Sequence, residues 1–126
     1  MKKLTKAEEE IMLILWELKE ALVRDIMTGL SDPETPYTTV STVIRILEKK
    51  GFASHKAFGN TYLYFPLVSK REYSRAQLND FVGSYFNGSF SSMATFFARE
   101  NDMSMEELQG MLDEMQKELK QKPQNE

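Results

Sequence analysis

Residues 37–52 of this chain read YTTVSTVIRILEKKGF, and this stretch determines the fold. At about 100° per residue, four aliphatic side chains fall on one side of a helix: Val40, Val43, Ile44 and Leu47. The opposite side carries hydroxyl groups and cations and contains no carboxylate. Gly51 is a suitable C-terminal cap. The sequence therefore predicts a helix from Tyr37 to about Lys50 with one buried and one outward face.

After this helix the apolar period changes from that of a helix to that of a strand. Aromatic and β-branched residues over 52–58 and 61–65 flank the pair Gly59 and Asn60. Such runs around a glycine-containing turn favour a β-hairpin, although Gly-Asn is a weaker turn signal than Asn-Gly. We therefore predict two short strands directly after the helix.

A repeated sequence signature marks where further helices begin. Three stretches, one before the helix at residues 37–50 and two after it, begin with Ser or Thr followed three residues later by Glu: Thr5–Glu8, Ser69–Glu72 and Ser104–Glu107. Each precedes helical apolar spacing and predicts a capping box. The first opens a helix, and a short second helix fits Val23–Leu30, followed by a proline-punctuated turn. Three helices and a hairpin in this order predict a winged helix-turn-helix domain, which we place at residues 1–68.

Residues 69–126 read as a helical region with three helices, at about Lys70–Tyr85, Phe90–Arg99 and Met105–Gln121. So small a region cannot easily bury its many apolar side chains alone, so we expect it to dimerise. The side chains expected at the dimer seam are Phe81, Tyr85, Phe90, Met93, Phe96, Leu108, Met111, Leu112 and Met115. The predicted fold class is mainly α with a small β-hairpin: a winged helix-turn-helix domain followed by C-terminal dimerisation helices.

Composition and motifs exclude several classes of protein. The 126 residues include no Cys and one His, which excludes disulfides, thiolate metal sites and paired-histidine metal sites. No nucleophile–base constellation, P-loop or dinucleotide fingerprint occurs, so we expect neither an enzyme nor a cofactor. The apolar run Ile11–Trp16 is too short to cross a membrane, and no secretory segment precedes it. We therefore expect a soluble cytoplasmic protein without membrane insertion. Residues 8–10 (EEE) are expected to form a solvated helix face near the start of the first helix.

The outward face of the third predicted helix is the candidate site. It carries Thr38, Thr42, Arg45 and Lys49, flanked by Thr39 and Ser41. Hydroxyl groups bond phosphates and base edges, and a guanidinium can hold guanine through two parallel hydrogen bonds. On a lone helix, a solvated face would be the simpler interpretation, but the preceding helix and the following hairpin favour DNA binding. Glu48 is placed away from this face, and the net charge of −3 does not decide the question.

The hairpin supplies further candidates for contacts to the DNA backbone. These are His55, Lys56, Asn60 and Tyr62. A catalytic role for His55 is disfavoured because no Ser or Asp stands at a suitable spacing. The predicted DNA-binding set therefore comprises the six residues of the helix and these four residues of the hairpin.

Four stretches of the chain resemble a known family. They are residues 4–16 (LTKAEEEIMLILW), 39–52 (TVSTVIRILEKKGF), 58–66 (FGNTYLYFP) and 85–93 (YFNGSFSSM). In order and spacing they are similar to the opening helix, the recognition helix, the wing and the start of the dimerisation helices of the penicillinase/methicillin-resistance repressor family (BlaI/MecI/CopY). The resemblance covers nearly the whole chain.

This resemblance implies a homodimeric winged-helix repressor that binds dyad-symmetric DNA operators and silences antibiotic-resistance genes. In the antibiotic-responsive members, a membrane sensor with a metalloprotease domain triggers cleavage of the repressor at an Asn-Phe bond. The matching positions here are Phe96 and Phe97, so the Phe is present and the Asn is replaced. The copper-responsive members carry a cysteine-rich C-terminal motif, which this chain lacks.

Two other interpretations belong to different functional classes. A winged helix can act as a protein-interaction module, because the same fold serves as an adaptor. Alternatively, the aromatic residues of the C-terminal half can form an effector pocket in a ligand-responsive regulator. Salt dependence separates DNA binding from protein interaction, because counterion release accompanies only the former.

Overall fold

The computed structural model describes residues 1–121, which form six helices and one antiparallel hairpin. In chain order the elements are α1 (Lys6–Leu18), α2 (Val23–Met27), α3 (Tyr37–Lys49), β1 (Ala53–Phe58), β2 (Thr61–Pro66), α4 (Lys70–Phe86), α5 (Phe90–Glu100) and α6 (Met105–Leu119). The fold separates into two compact units, the first ending at Arg75 and the second beginning at Ala76. The first unit is a winged helix-turn-helix domain, and the fold class is the one that the sequence predicted.

Capping boxes begin three of the helices, and all three were predicted. At α1, the Thr5 hydroxyl accepts a hydrogen bond from the Glu8 amide at 3.2 Å, and the Glu8 carboxylate accepts one from the Thr5 amide at 2.9 Å. Ser69 and Glu72 form the same reciprocal pair before α4, and Ser104 and Glu107 form it before α6. Each box satisfies amides that the first turn of a helix otherwise leaves unpaired.

The apolar face of α3 lies at the centre of the first unit. Val40, Ile44 and Leu47 are wholly buried, so this face is the one that the periodicity indicated. It packs in one cluster with side chains from α1, α2 and the hairpin: Ile11, Met12, Leu15, Val23, Ile26, Ala53 and Tyr64. Burying one such aliphatic side chain contributes roughly 1.5–3 kcal/mol, so the face holds α3 firmly in one rotational setting.

The hairpin follows α3 and is anchored to the segment after α1. Its register pairs Ala53 with Pro66 and Phe58 with Thr61, which leaves Gly59 and Asn60 as the turn. Gly59 has a positive φ of 61°, a conformation that glycine adopts without steric cost. Two backbone hydrogen bonds between Ala21 and Tyr64, at 2.9 and 2.8 Å, form an isolated antiparallel β-bridge beside β2.

The first turn of α4 belongs to the first unit. The Tyr73 hydroxyl accepts a hydrogen bond from the Leu4 amide at 3.0 Å, and the Tyr73 ring packs edge-on against Phe52 with centroids 5.7 Å apart. Trp16 lies beside the same ring and donates its indole N–H to the Val68 carbonyl at 2.8 Å. These contacts extend the first unit to Arg75, beyond the boundary after residue 68 that the sequence indicated.

The second helix is shorter than the sequence indicated. It ends at Met27 rather than Leu30, because the backbone tightens there into hydrogen bonds of the i to i−3 type. Gly29 donates to the Ile26 carbonyl at 3.0 Å, and Leu30 donates to the Met27 carbonyl at 3.3 Å. The Thr28 hydroxyl also bonds the Asp25 carbonyl, a local interaction that competes with helix continuation.

Glu8 corrects one interpretation of the sequence. It is buried rather than part of a solvated face, and its carboxylate lies 2.7 Å from the Lys50 ammonium. Burial by itself would raise the pKa of Glu8, but hydrogen bonds from Lys50 and Thr5 outweigh it and hold that pKa below its usual value. The pair joins the start of α1 to the residue that follows α3.

The second unit buries far less of its surface. None of the residues of α5 or α6 is buried, and both helices are amphipathic. The unit therefore presents an apolar surface that a single copy of the chain does not cover. Among residues 1–121, no helix is long and apolar enough to span a membrane.

We predict that Lys50→Met destabilises the first unit by about 2–3 kcal/mol at pH 7, because it leaves the buried Glu8 carboxylate without its cation. The contribution of a carboxylate with a lowered pKa is present above its ordinary pKa of 4.5 and is lost as the pH falls through the lowered value. The destabilisation should therefore shrink below about pH 4.5. Denaturant unfolding followed by the fluorescence of Trp16, the single Trp of the chain, measures both effects.

The matched control is Glu8→Gln, which keeps a side chain able to complete the capping box but carries no charge. In that background, Lys50→Met should cost less than about 1 kcal/mol, because no buried charge is left unpaired. An equal cost in both backgrounds would show that the ion pair does not account for the effect.

Candidate nucleic-acid interface

The outward face of α3 presents the side chains that the sequence placed there. Thr38, Thr39, Thr42, Arg45 and Lys49 are exposed, and Ser41 is half-buried at the flank. The opposite face is buried, and α3 also exposes two apolar side chains that the sequence analysis did not single out, Tyr37 and Ile46. The first turn of α3 carries no acidic residue.

Two hydrogen bonds organise this face before any partner binds. The Thr42 hydroxyl donates to the Thr38 carbonyl at 2.8 Å, which leaves its oxygen lone pairs free to accept a hydrogen bond. The Arg45 Nη2 donates to the Ser41 hydroxyl at 3.0 Å. This bond uses one of the five N–H donors of the guanidinium, so the remaining donors are available for a planar acceptor pair.

The wing, defined as β1, β2 and their turn, lies beside this face but carries little free positive charge. His55 contacts Glu48, with its Nδ1 at 2.6 Å from Oε2 of the carboxylate. Lys56 lies 3.1 Å from the Glu20 carboxylate, which follows α1. Glu48 therefore does not point away from the site as we expected, and each of the two basic residues of the wing lies against a carboxylate.

The remaining wing candidates are exposed. Asn60 lies in the turn, and Tyr62 stacks on the His55 ring with centroids 4.2 Å apart. Tyr64 lies deeper, and burial, assisted by the negative charge of Glu48, raises the pKa of its hydroxyl. Tyr64 therefore stays neutral near pH 7, and the aromatic stack supports the wing without contributing charge.

The contacts of Glu48 and Glu20 were missed by the sequence analysis. A signal exists for Glu48, because it stands on the last turn of α3, on the flank that the following strand must approach. No comparable signal exists for Glu20, whose contact with Lys56 depends on how the segment after α1 pairs with β2. Within residues 1–121, no group of three His, Asp or Glu side chains is arranged to hold a metal ion.

The family model for penicillinase repressors matches residues 4–119, which include α3, the wing and all three C-terminal helices. The chain belongs to the penicillinase repressor family. The protein is thus a DNA-binding repressor with a winged-helix domain. Its family is one of transcription regulators rather than of enzymes.

Two curated relatives agree with this membership, and one solved structure is similar to part of the chain. The repressor is 26% identical over 106 residues to the penicillinase repressor of Bacillus licheniformis, with 83% of each chain covered. It is 27% identical over 107 residues to the methicillin resistance regulatory protein MecI of Staphylococcus aureus strain N315, covering 84% of this chain and 87% of the relative. The solution structure of the DNA-binding domain of the repressor BlaI matches with 27% identity and a TM-score of 0.49, covering 58% of this chain and 94% of that one.

The residues predicted at the dimer seam all lie in the second unit of the repressor. Phe81 packs against Tyr85, with centroids 4.9 Å apart, and Phe86 packs against Phe96 at 5.6 Å. Met93 and Leu108 are half-buried. The side chains that remain exposed are Phe81, Tyr85, Phe90, Phe96, Met111, Leu112 and Met115.

Phe96 and Phe97, the positions matching the family's cleavage bond, lie within α5, and each is about half exposed.

We predict that Lys49→Ala weakens DNA binding at all sequences and lowers the salt slope, d log K/d log[salt], by about 1 in magnitude per protomer. Lys56→Ala should reduce the magnitude of the salt slope less, because the Lys56 ammonium already lies against the Glu20 carboxylate. Glu20→Gln is the matched control, because it frees Lys56 and should tighten binding. DNA titrations between 50 and 200 mM salt measure the three slopes, and equal losses for Lys49→Ala and Lys56→Ala would contradict the pairing.

Proposed function

We propose that the repressor acts in the cytoplasm as a homodimer that binds a dyad-symmetric DNA operator, with α3 of each protomer in the major groove. The observation that carries this proposal is the outward face of α3, where hydroxyl groups and two cations are exposed and the flanking Glu48 is half-buried and bonded to His55. Thr38, Thr39, Thr42 and Arg45 would approach base edges and phosphates. Ser41 would hold Arg45, and Lys49 and the wing would contact the backbone.

The rival function for this fold is a protein-interaction module. Membership in a repressor family favours DNA as the partner, and so does the absence of an exposed acid among the outward residues of α3.

Gel shifts with the DNA upstream of the protein's own coding sequence test the proposal. Binding should fall steeply as salt rises from 50 to 200 mM, because phosphate contacts release condensed counterions. No binding to that DNA at 50 mM salt would contradict the proposal.

The second unit supports the dimer. A soluble chain seldom leaves a large contiguous apolar surface exposed, yet α5 and α6 bury no residue in a single copy. On α6, Met111, Leu112 and Met115 stay exposed at helical spacing. A second copy related by a two-fold axis would cover these side chains with the same side chains of the partner.

The shape of this surface favours a helix over a small-molecule effector as its partner. One depression of about 530 Å³ between α5 and α6 is lined by Ala94, Thr95, Ala98, Arg99, Asp102, Met103 and Leu108. A second, of about 560 Å³, includes Phe86 and Phe96. Both are shallow and open, whereas effector sites enclose most of the ligand surface.

Family membership supports a proposal for the regulated genes and for the release of repression. The relatives' names, penicillinase repressor and methicillin resistance regulatory protein, support antibiotic-resistance genes as the target. Release by proteolysis, initiated by a membrane sensor metalloprotease, would cut between Phe96 and Phe97 in the middle of α5. Mass spectrometry of the repressor recovered from antibiotic-treated cells tests this bond directly, and an intact chain in derepressed cells would contradict it.

We predict that Arg45→Ala weakens operator binding by about 1–3 kcal/mol and relaxes the preference at one base pair of each half-site, because the guanidinium reads a guanine. Ser41→Ala should give a smaller loss, since it removes only the hydrogen bond that holds Arg45. Titrations against operators substituted one base pair at a time measure both effects. Unchanged operator affinity of Arg45→Ala would remove this residue from the site.

We predict that the double variant Met111→Glu and Leu112→Glu is monomeric and loses most of its operator affinity. A two-fold seam would place these new charges opposite their own copies, and loss of the dimer makes binding to the second half-site intermolecular. The first unit should stay folded, since its core contains neither residue. Sedimentation and a DNA titration measure the two effects. A variant that remains dimeric would exclude α6 from the seam, and a monomer with full affinity would contradict the coupling.

A further inference from the structure

The hydrogen bond between His55 and Glu48 determines what the imidazole can offer to a partner. Nδ1 lies 2.6 Å from a carboxylate oxygen, and a carboxylate oxygen can only accept. Nδ1 must therefore carry the proton. In a neutral imidazole the other nitrogen, Nε2, then has a lone pair and no hydrogen. Within residues 1–121, Nε2 has no hydrogen-bond partner, and the His55 side chain is 35% exposed.

A DNA phosphate oxygen also only accepts hydrogen bonds. Neutral His55 thus cannot bond a phosphate through Nε2, because two acceptors would face each other. It would also leave the negative charge of Glu48 uncompensated beside the negatively charged DNA backbone. An imidazolium removes both obstacles: Nδ1–H bonds Glu48, Nε2–H bonds the phosphate, and the His55–Glu48 pair becomes neutral overall.

The other groups around His55 do not substitute for this proton. On β2, the Tyr62 and Tyr64 rings lie with their centroids 4.2 and 5.5 Å from that of the imidazole, and burial raises the pKa of the Tyr64 hydroxyl. On α3, the Arg45 guanidinium bonds Ser41. The neighbouring Lys56 points to the opposite face of the strand, where it lies against Glu20. Glu48 is thus the charged group in direct contact with the imidazole.

We propose that the operator-bound repressor holds His55 of each protomer as an imidazolium whose Nε2–H bonds a DNA phosphate, and that Glu48 is the positioning residue for this imidazolium. The inference rests on the proposed function, since it concerns the wing of a DNA-bound repressor. It assigns the wing contact to a phosphate rather than to a base edge. The chain has a single His, so no other imidazole competes in a pH titration.

The test is a DNA titration of the full-length repressor at pH 6, 7 and 8, at constant ionic strength, with the upstream duplex that gives the strongest gel shift. The Kd should rise about tenfold per protomer between pH 6 and pH 8, the loss expected for one charge-assisted hydrogen bond. Calorimetry at pH 8 in two buffers of different ionisation enthalpy measures the proton uptake that accompanies binding. The heats should differ and indicate net proton uptake.

His55→Gln is the matched control, because its amide can donate to a phosphate at every pH in this range. Its Kd should change less than about twofold between pH 6 and pH 8. Glu48→Gln keeps an oxygen that accepts from Nδ1–H but removes the negative charge beside the imidazolium, so the change in Kd between pH 6 and pH 8 should differ in size from that of the wild type. A merely structural role for Glu48 would instead lower affinity equally at all three pH values. Far-UV circular dichroism at each pH establishes that the variants are folded.

Three results would overturn the inference. One is tight binding by the wild type that does not change between pH 6 and pH 8. The second is a pH dependence that His55→Gln retains, which would locate the proton elsewhere. The third is the absence of DNA binding at every pH, which would also overturn the proposed function. The first two results leave the proposed function intact, so the two failures are distinguishable.

Discussion

The burial of Val40, Ile44 and Leu47 fixes the rotation of α3 about its own axis, and the other features of the first unit depend on that rotation. A helix with one wholly buried face has only one face left to present, and here it is the face of hydroxyl groups and cations. The ion pair between Glu8 and Lys50 acts at the end of the same helix, where it ties the chain to the start of α1. The direction in which Arg45 points is therefore set by contacts on the far side of α3.

The second unit differs from the first in that α5 and α6 bury no residue. Its helices are capped and amphipathic, yet α5 and α6 have no core of their own in one copy of the chain. Local interactions such as the Ser104–Glu107 box determine where these helices begin, whereas burial of their apolar faces needs a surface that the single chain does not supply. In the proposed homodimer, the stability of this unit would rise with protein concentration.

Most of the fold could be predicted because it rests on local signals. The capping pairs span three residues, and the apolar face of α3 repeats within one helix, so both can be read from neighbouring positions. The contacts that the sequence analysis missed are those between distant segments. Glu8 and Lys50 are 42 positions apart, and nothing in the run of residues 8–10 marks its first member as buried. Likewise, His55 and Lys56 could be recognised as basic, but the carboxylates beside them depend on tertiary packing.

The pairing of both basic wing residues with carboxylates has a consequence for how the repressor distributes itself over a genome. Any basic surface binds DNA of any sequence, and a chromosome offers about 10⁶–10⁹ competing sites. The contacts of His55 with Glu48 and of Lys56 with Glu20 lower the net positive charge of the wing while the repressor diffuses along DNA. A smaller fraction of the molecules is then sequestered on irrelevant sequence. The acidic partners thereby favour rapid search and a lower number of copies needed to occupy one operator.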